Sequence, residues 1–317
     1  KPSIPYRQKP TPSSSRSCVA LAPLSLVRPI STNFRWRVSL FLRWEVRRGT
    51  GMTSGGTPGG SSGGTAAALA ANLALVGCGG DTMNSLRSPA SACSIIGFRP
   101  TRGQISRRGI IPVTDTQDVA GPMARTVQDV RLLFDVMKGE DAGDEVTTDC
   151  QRDAMERSSE TCGRRKRIGV LRSFFADDGD PEGSIVNQTV LDALDKARAN
   201  VPVELVTLSP QRAHWDIPTL ISTADMQAYE FRSVIDTFLQ SSLIAFTPHD
   251  SLNSIVASGE YLQEAVTPAL YRTLQKDGPY TMQSPEYESR LATIAALKKS
   301  VEDCFESSPR GGRTESH

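Results

Sequence analysis

Two serines stand in settings that could do chemistry. Ser61 lies in Gly59-Gly60-Ser61-Ser62-Gly63-Gly64, and Ser85 lies in Asp81-Thr82-Met83-Asn84-Ser85-Leu86-Arg87. A serine hydroxyl becomes a useful nucleophile only when a base removes its proton. Glycine-rich turns can aim backbone N–H groups at the negative charge that forms on an attacked carbonyl. The two segments can converge if the stretch between them is a helix and a short return. Bases are scarce. The chain has three histidines, His214, His249 and His317, and no lysine from residue 10 to residue 137.

Taken one at a time, the motifs are weak. A phosphate-binding loop ends in Gly-Lys-Ser/Thr, and this one ends Gly63-Gly64-Thr65. Gly59-Gly60-Ser61-Ser62-Gly63 satisfies the GxSxG elbow of α/β-hydrolases, with His214 or His249 as the candidate base. Such an elbow must follow a strand, and residues 51–58 are Gly, Ser, Thr, Pro and Met. Six cysteines carry no CxxC pair and the histidines do not cluster, so no metal site and no cofactor are expected. Reduced thiols and a cytoplasmic location are the corresponding expectations. Cys78 and Cys93 read as small core residues. A net charge of +1 gives no argument for a nucleic-acid partner. The apolar run 18–27 is too short to span a membrane. Oligomeric state is not legible.

Elements must bring the serines together. Residues 1–50 are rich in Pro, Ser and Arg with Glu45 the only acid, transit-like in composition. They read as disordered or as foreign to the domain that follows. Residues 51–64 read as loop. Residues 65–76 predict a buried alanine-rich helix, and 94–98 and 109–113 short strands or extended segments. Residues 126–137 predict an amphipathic helix with Thr126 as N-cap and Asp129 in capping-box position. Val127, Val130, Phe134 and Met137 should form its apolar face. A polar loop over 139–165 ends in a basic run, 164–167. A strand over 167–171, a helix over 181–199 and a strand over 203–208 make a βαβ-like unit. Helical stretches follow, the last over 287–305, and residues 308–317 read as a disordered tail.

The two serine segments together are far more specific. From Pro58 the order is GGSSGG, then Asp81-x-x-x-Ser85-x-Arg87-x-Pro89, then Gly97-Phe98-Arg99-Pro100-Thr101 with Gly103, Ser106 and Gly109, then Gly121-Pro122-Met123-Ala124-Arg125-Thr126. This closely resembles the amidase signature family, firmly over 55–137 and more loosely to 306. The resemblance implies an α/β fold, a central mixed sheet flanked by helices, incomplete at its N-terminus, with 51–307 as a partial amidase domain. It implies a serine–cis-serine–lysine hydrolase acting on a small-molecule amide. By position, Ser85 is the nucleophile and Ser61 the bridging serine after a cis bond from Gly60. The backbone N–H groups of Thr82, Met83, Asn84 and Ser85 form the oxyanion hole. Gly60, Ser62, Asp81 and Arg87 support the loops, Ser62 by local hydrogen bonds, and Asp118 and Arg125 read as scaffold. The family's lysine precedes the GGSSGG loop, at the end of an apolar strand. Lys1 and Lys9 lie in Pro- and Ser-rich sequence and are not assigned that role, so the base is not found. The expectation is an amide hydrolase impaired in this chain. The alternatives are a non-catalytic binding or scaffold fragment and an α/β-hydrolase elbow.

Overall fold

The computed structural model describes residues 58–148, 166–171, 175, 180–208, 217–244, 247–259 and 280–306. The expectations for 1–50, for the tail and for His214 lie outside them. The chain divides into two compact units that interleave in sequence. One is drawn from Lys1–Ser158 and Met226–Met282, the other from Ser159–Asp225 and Gln283–His317.

The first unit is built on an antiparallel sheet of order β1–β3–β2, comprising β1 (Val76–Asp81), β2 (Ile96–Gly97) and β3 (Val119–Ala124). Helix α1 (Gly63–Ala70) packs on β1. It does so closely because β1 reads Val-Gly-Cys-Gly-Gly-Asp. A Cβ on Gly77 would stand 2.6 Å from Thr65 Cγ2. The edge of β1 away from β3 is closed by hydroxyls from α1 and its cap. Thr65 Oγ1 donates to Cys78 O at 3.1 Å, and Ser62 Oγ donates to Gly80 O at 3.1 Å and accepts from Gly80 N at 3.2 Å. An exposed strand edge is thereby blunted without a further strand. Ala66, Leu69, Leu86, Ala90, Cys93 and Met123 form the core between α1, the sheet and α2 (Arg87–Ala92).

The predicted helix over 65–76 is therefore too long. It stops at Ala70, Asn72 turns left-handed at φ 59°, and Val76 opens β1. Alanine propensity is a weak prior, and the ladder to β3, with Arg125 Nη1 donating to Leu69 O and Ala74 O at 2.8 Å each, overrides it. The 109–113 strand is absent, because the Val113 amide donates to the Asp118 carboxylate at 2.7 Å instead of to a neighbouring strand. Helix α3 (Val127–Met137) has the predicted cap, with Thr126 Oγ1 accepting from Asp129 N at 3.1 Å. Its face differs by one residue: Val127 is 68% exposed, and Leu133 is buried beside Val130. Cys93 is buried as expected, but Cys78 is exposed, its Sγ 3.7 Å from Met137 Sδ.

In the second unit, β4 (Lys166–Leu171) and β5 (Val203–Leu208) pair in parallel, joined by helix α4 (Pro181–Asn200). The βαβ pattern read from the sequence is present, and Lys166 and Arg167 of the basic run belong to β4. Asp180 caps α4 by accepting from Glu182 N at 3.1 Å, with Pro181 in the first turn where its missing N–H costs nothing. Helices α5 (Ile217–Ala224) and α8 (Pro285–Glu306) also belong to this unit. Helix α6 (Gln227–Gln240) belongs to the first unit, as does α7 (Leu252–Ser258), which a Ser251–Ser254 capping box and left-handed Gly259 delimit. Phe231 and Ile235 of α6 pack on Leu252 of α7 and on Val113. The α/β class follows, with both antiparallel and parallel pairing present.

Candidate active site

Both serine segments converge beside β1. The peptide bond from Gly60 to Ser61 is cis. The Ser62 amide donates to Ser85 O at 3.2 Å, which lays the Gly60–Ser62 backbone on the turn that carries Ser85. Gly59, at φ +69°, sits so close to α2 that a Cβ there would meet Ser88 Oγ at 3.2 Å. The positive φ favours glycine there, and a Cβ would also press on the Ser88 hydroxyl. Ser85 is buried and Ser61 half-buried. Ser62 does not bond within its own loop, as the sequence reading expected, because its hydroxyl is held on both sides by Gly80.

Asp81 ends β1 and organises the turn after it. Its carboxylate is fully buried. Oδ2 accepts from Leu86 N at 3.1 Å and from Arg87 Nε at 3.2 Å, and Oδ1 accepts from Arg99 Nη1 at 2.8 Å. Arg87 also donates to Met83 O and Arg99 to Asp81 O. A buried carboxylate is tolerated only when so paired. Thr82 Oγ1 donates to Asp118 Oδ1 at 2.5 Å. With side chains and carbonyls so committed, the amides of Thr82, Met83, Asn84 and Ser85 donate to no acceptor among the described residues. Such a row of N–H groups can receive an oxyanion.

Some residues of the site are not singled out by sequence reasoning. Arg99 lies inside a quoted motif, yet only the structure shows its guanidinium tying Asp81 to Gln117 O, the latter at 2.9 Å. Met226, Gln227 and Glu230, at the start of α6, reach the site from more than a hundred residues away. Gln227 Nε2 lies 2.8 Å from Met83 Sδ, and Met226 N donates to Gln117 Oε1 at 3.0 Å. The one available signal is an acid, Glu230, on the same helical face as Met226.

The hydrolase-elbow reading is not supported by the geometry. No strand leads into Ser61 among residues 58–60, the Ser62 hydroxyl is engaged with Gly80, and the His249 backbone is turned on Thr247 Oγ1. Lys138, the first lysine after the serines, pairs with Asp135 at 2.6 Å and lies over the Phe134 ring. Lys1 and Lys9 lie outside the described residues. Among those described, no group of three or more His, Cys, Asp or Glu is arranged to hold a metal, and no helix is long and apolar enough to cross a membrane.

Comparison with known proteins places this arrangement. A family model described as amidase matches residues 51–307. The chain is 35% identical over 185 residues to a glutamyl-tRNA(Gln) amidotransferase subunit from Bdellovibrio bacteriovorus, covering 58% of this chain and 35% of that one. The corresponding glutamyl-tRNA(Gln) amidotransferase subunit from Clostridium botulinum (strain Hall) is 40% identical over 157 residues, covering 50% and 30%. Native peptide amidase from Stenotrophomonas maltophilia superposes with a TM-score of 0.60 at 27% identity, covering 84% of this chain and 54% of that one. An amidase family protein from Bacillus anthracis gives 0.57 at 25% identity, covering 80% and 50%. The chain spans about a third of the length of the curated relatives and about half that of the solved structures.

Proposed function

Because the chain belongs to the amidase family, we propose that its site cleaves a carboxylic amide of a small molecule through an acyl-enzyme on Ser85. The observation that supports this most directly is the Ser62 N to Ser85 O bond beside the cis Gly60–Ser61 peptide. It sets Ser61 next to the turn that carries Ser85, whose four amides donate to no acceptor among the described residues. Ser85 Oγ attacks the amide carbon and passes its proton to Ser61 Oγ, which gives up its own proton to hydroxide or to an added amine. The carbonyl oxygen takes up negative charge facing the amides of Thr82, Met83, Asn84 and Ser85. Collapse breaks the C–N bond, Ser61 returns a proton to the departing amine, and the acyl group stays on Ser85. Water then attacks the ester, releasing the acid and restoring the serine.

The base is the missing part. No lysine lies between residues 10 and 137, so the stretch that carries the nucleophile, relay and oxyanion groups does not itself supply the amine that this reading calls for. Members of such a unit act together, and loss of one removes most of the rate. On this reading the expected outcome is slow turnover by the chain as given, with hydroxide or an added primary amine replacing part of what such a base supplies. The same absence favours a second reading, a Ser-lined pocket that binds amides without cleaving them.

Hydrolysis of simple aryl amides, run beside labelling by a fluorophosphonate, separates the two. The catalytic reading expects weak turnover that rises with pH and with added methylamine and disappears in Ser85→Ala. Turnover indifferent to Ser85→Ala, or a Ser85 silent to the probe at every pH and amine concentration, overturns it.

A further inference from the structure

Glu230 is buried with no exposed surface, and the hydrolytic scheme above gives it no part. It sits in the first turns of α6. Its Oε2 accepts from Asp115 N at 2.7 Å and from Thr116 N at 3.0 Å, and its Oε1 accepts from Thr116 Oγ1 at 2.9 Å. Burying a carboxylate costs several kcal/mol unless donors surround it. An apolar residue would fill the position without that cost if packing were its only task.

The segment that Glu230 grips is what holds the nucleophile turn. Asp118, in the same bend, takes Thr82 Oγ1 at 2.5 Å. The carbonyl of Gln117 takes Arg99 Nη2 at 2.9 Å, and Arg99 Nη1 holds the Asp81 carboxylate at 2.8 Å. Asp81 in turn accepts from Leu86 N at 3.1 Å, closing the turn around Ser85. The links measure 2.5–3.1 Å, and the anchors of the bend lie at consecutive positions, 115, 116, 117 and 118.

We propose that Glu230 is a positioning residue, whose carboxylate fixes the 115–118 bend so that Asp118 and Arg99 hold Asp81 and Thr82 where the amides before Ser85 line up. The inference deepens the catalytic reading and rests on it for its kinetic consequence. Its geometric consequence does not depend on it. Gln at 230 can keep the arrangement: its carbonyl accepts the two amides, and its NH2 donates to Thr116 Oγ1, which can turn to accept. Ala cannot.

The test compares Glu230→Ala and Glu230→Gln in two measurements. The first is hydrogen exchange at the amides of Ser62, Leu86 and Ser88, each of which bonds across or within the nucleophile turn, against the amides of Val130 and Lys138 in α3 as reference. Exchange at the first three should quicken about tenfold in Glu230→Ala and stay near the parent rate in Glu230→Gln, with the α3 amides unchanged. The second is the rate of Ser85 labelling per folded molecule, with methylamine present. It should fall about tenfold in Glu230→Ala, since small displacements of reacting groups carry penalties of that order, and recover to within about threefold in Glu230→Gln. A role in stability alone would quicken exchange at the α3 amides along with the other three and leave labelling per folded molecule unmoved. Unchanged exchange at Ser62, Leu86 and Ser88 in Glu230→Ala overturns the proposal. If the parent protein does not label at all, the catalytic reading fails, and exchange still decides the fate of Glu230. Should Glu230→Ala not fold, Glu230→Asp, with its carboxylate drawn back by one methylene, takes its place in the exchange measurement under the same two outcomes.

Discussion

Replacing Gly79 by alanine should strike the site through a single methyl group. The new Cβ would stand 2.5 Å from Ser62 Oγ, 2.9 Å from Ser62 Cβ and 2.8 Å from Leu86 Cδ2. Turning the Ser62 side chain relieves the first contact only, because its Cβ is fixed to the backbone. The Ser61–Ser62 segment must move away from β1, or Leu86 must leave the core. Overpacking of this kind costs about 1–3 kcal/mol. Moving the hydroxyl breaks its two bonds to Gly80, at 3.1 and 3.2 Å, worth about 1 kcal/mol each when buried. The expected loss is about 3–5 kcal/mol, which shifts a urea midpoint by about 1.5–2.5 M for a denaturant slope of about 2 kcal/mol/M. Because Ser62 N is the donor to Ser85 O, Ser85 labelling per folded molecule should fall as well. Ser62→Ala alone removes the hydroxyl bonds without adding bulk and should cost about 1–2 kcal/mol. Combined with Gly79→Ala it should cost less than the sum of the two, since the closest clash is gone. A Gly79→Ala protein with the parent's midpoint and labelling rate, or a double mutant whose costs simply add, would refute the packing of Ser62 against β1.

Two further outcomes follow from other parts of the first unit. Burial pushes the Asp144 carboxyl up, but hydrogen bonds from the Arg107 side chain and amide, with the charges of Arg107 and Arg102, outweigh it and hold the group below the usual carboxylate range. A depressed folded value means stability fully present above about pH 4, the unfolded value, and lost as pH falls through the folded one. Asp144→Asn should therefore be less stable than the parent at neutral pH, with the gap closing in acid; a gap that does not depend on pH in urea titrations would contradict the pairing. Thr126→Ala removes the N-cap of α3 and should cost about 1 kcal/mol by thermal or urea unfolding. Retained stability would mean that another group caps the helix.

Much of the site was legible in the chain because chemistry and backbone constraint leave marks in sequence. A glycine-flanked serine, an acid four residues before a second serine, and an arginine two after it mark the loop, the turn and its support. The amphipathic helix and its Thr126 cap were legible because both depend on residues within one or two turns. The βαβ pattern of the second unit was legible for the same reason. Where local preference competed with pairing, the sequence misled. The alanine-rich helix was read through Val76, which belongs to a strand, because a ladder to residues some forty positions later outweighs propensity.

By itself the sequence determined which groups are available: two serines, their glycine loops, and no lysine between residues 10 and 137. Only the tertiary structure decided how they are held. Ser62 belongs to β1 and not to its own loop, Arg99 ties Asp81 to the 117 carbonyl, and Glu230 comes from a helix more than a hundred residues away to grip the bend beneath Thr82. The physical reason is that a buried polar group must find its partner wherever the fold brings one within about 3 Å. Spacing along a chain records a partner only when it is local.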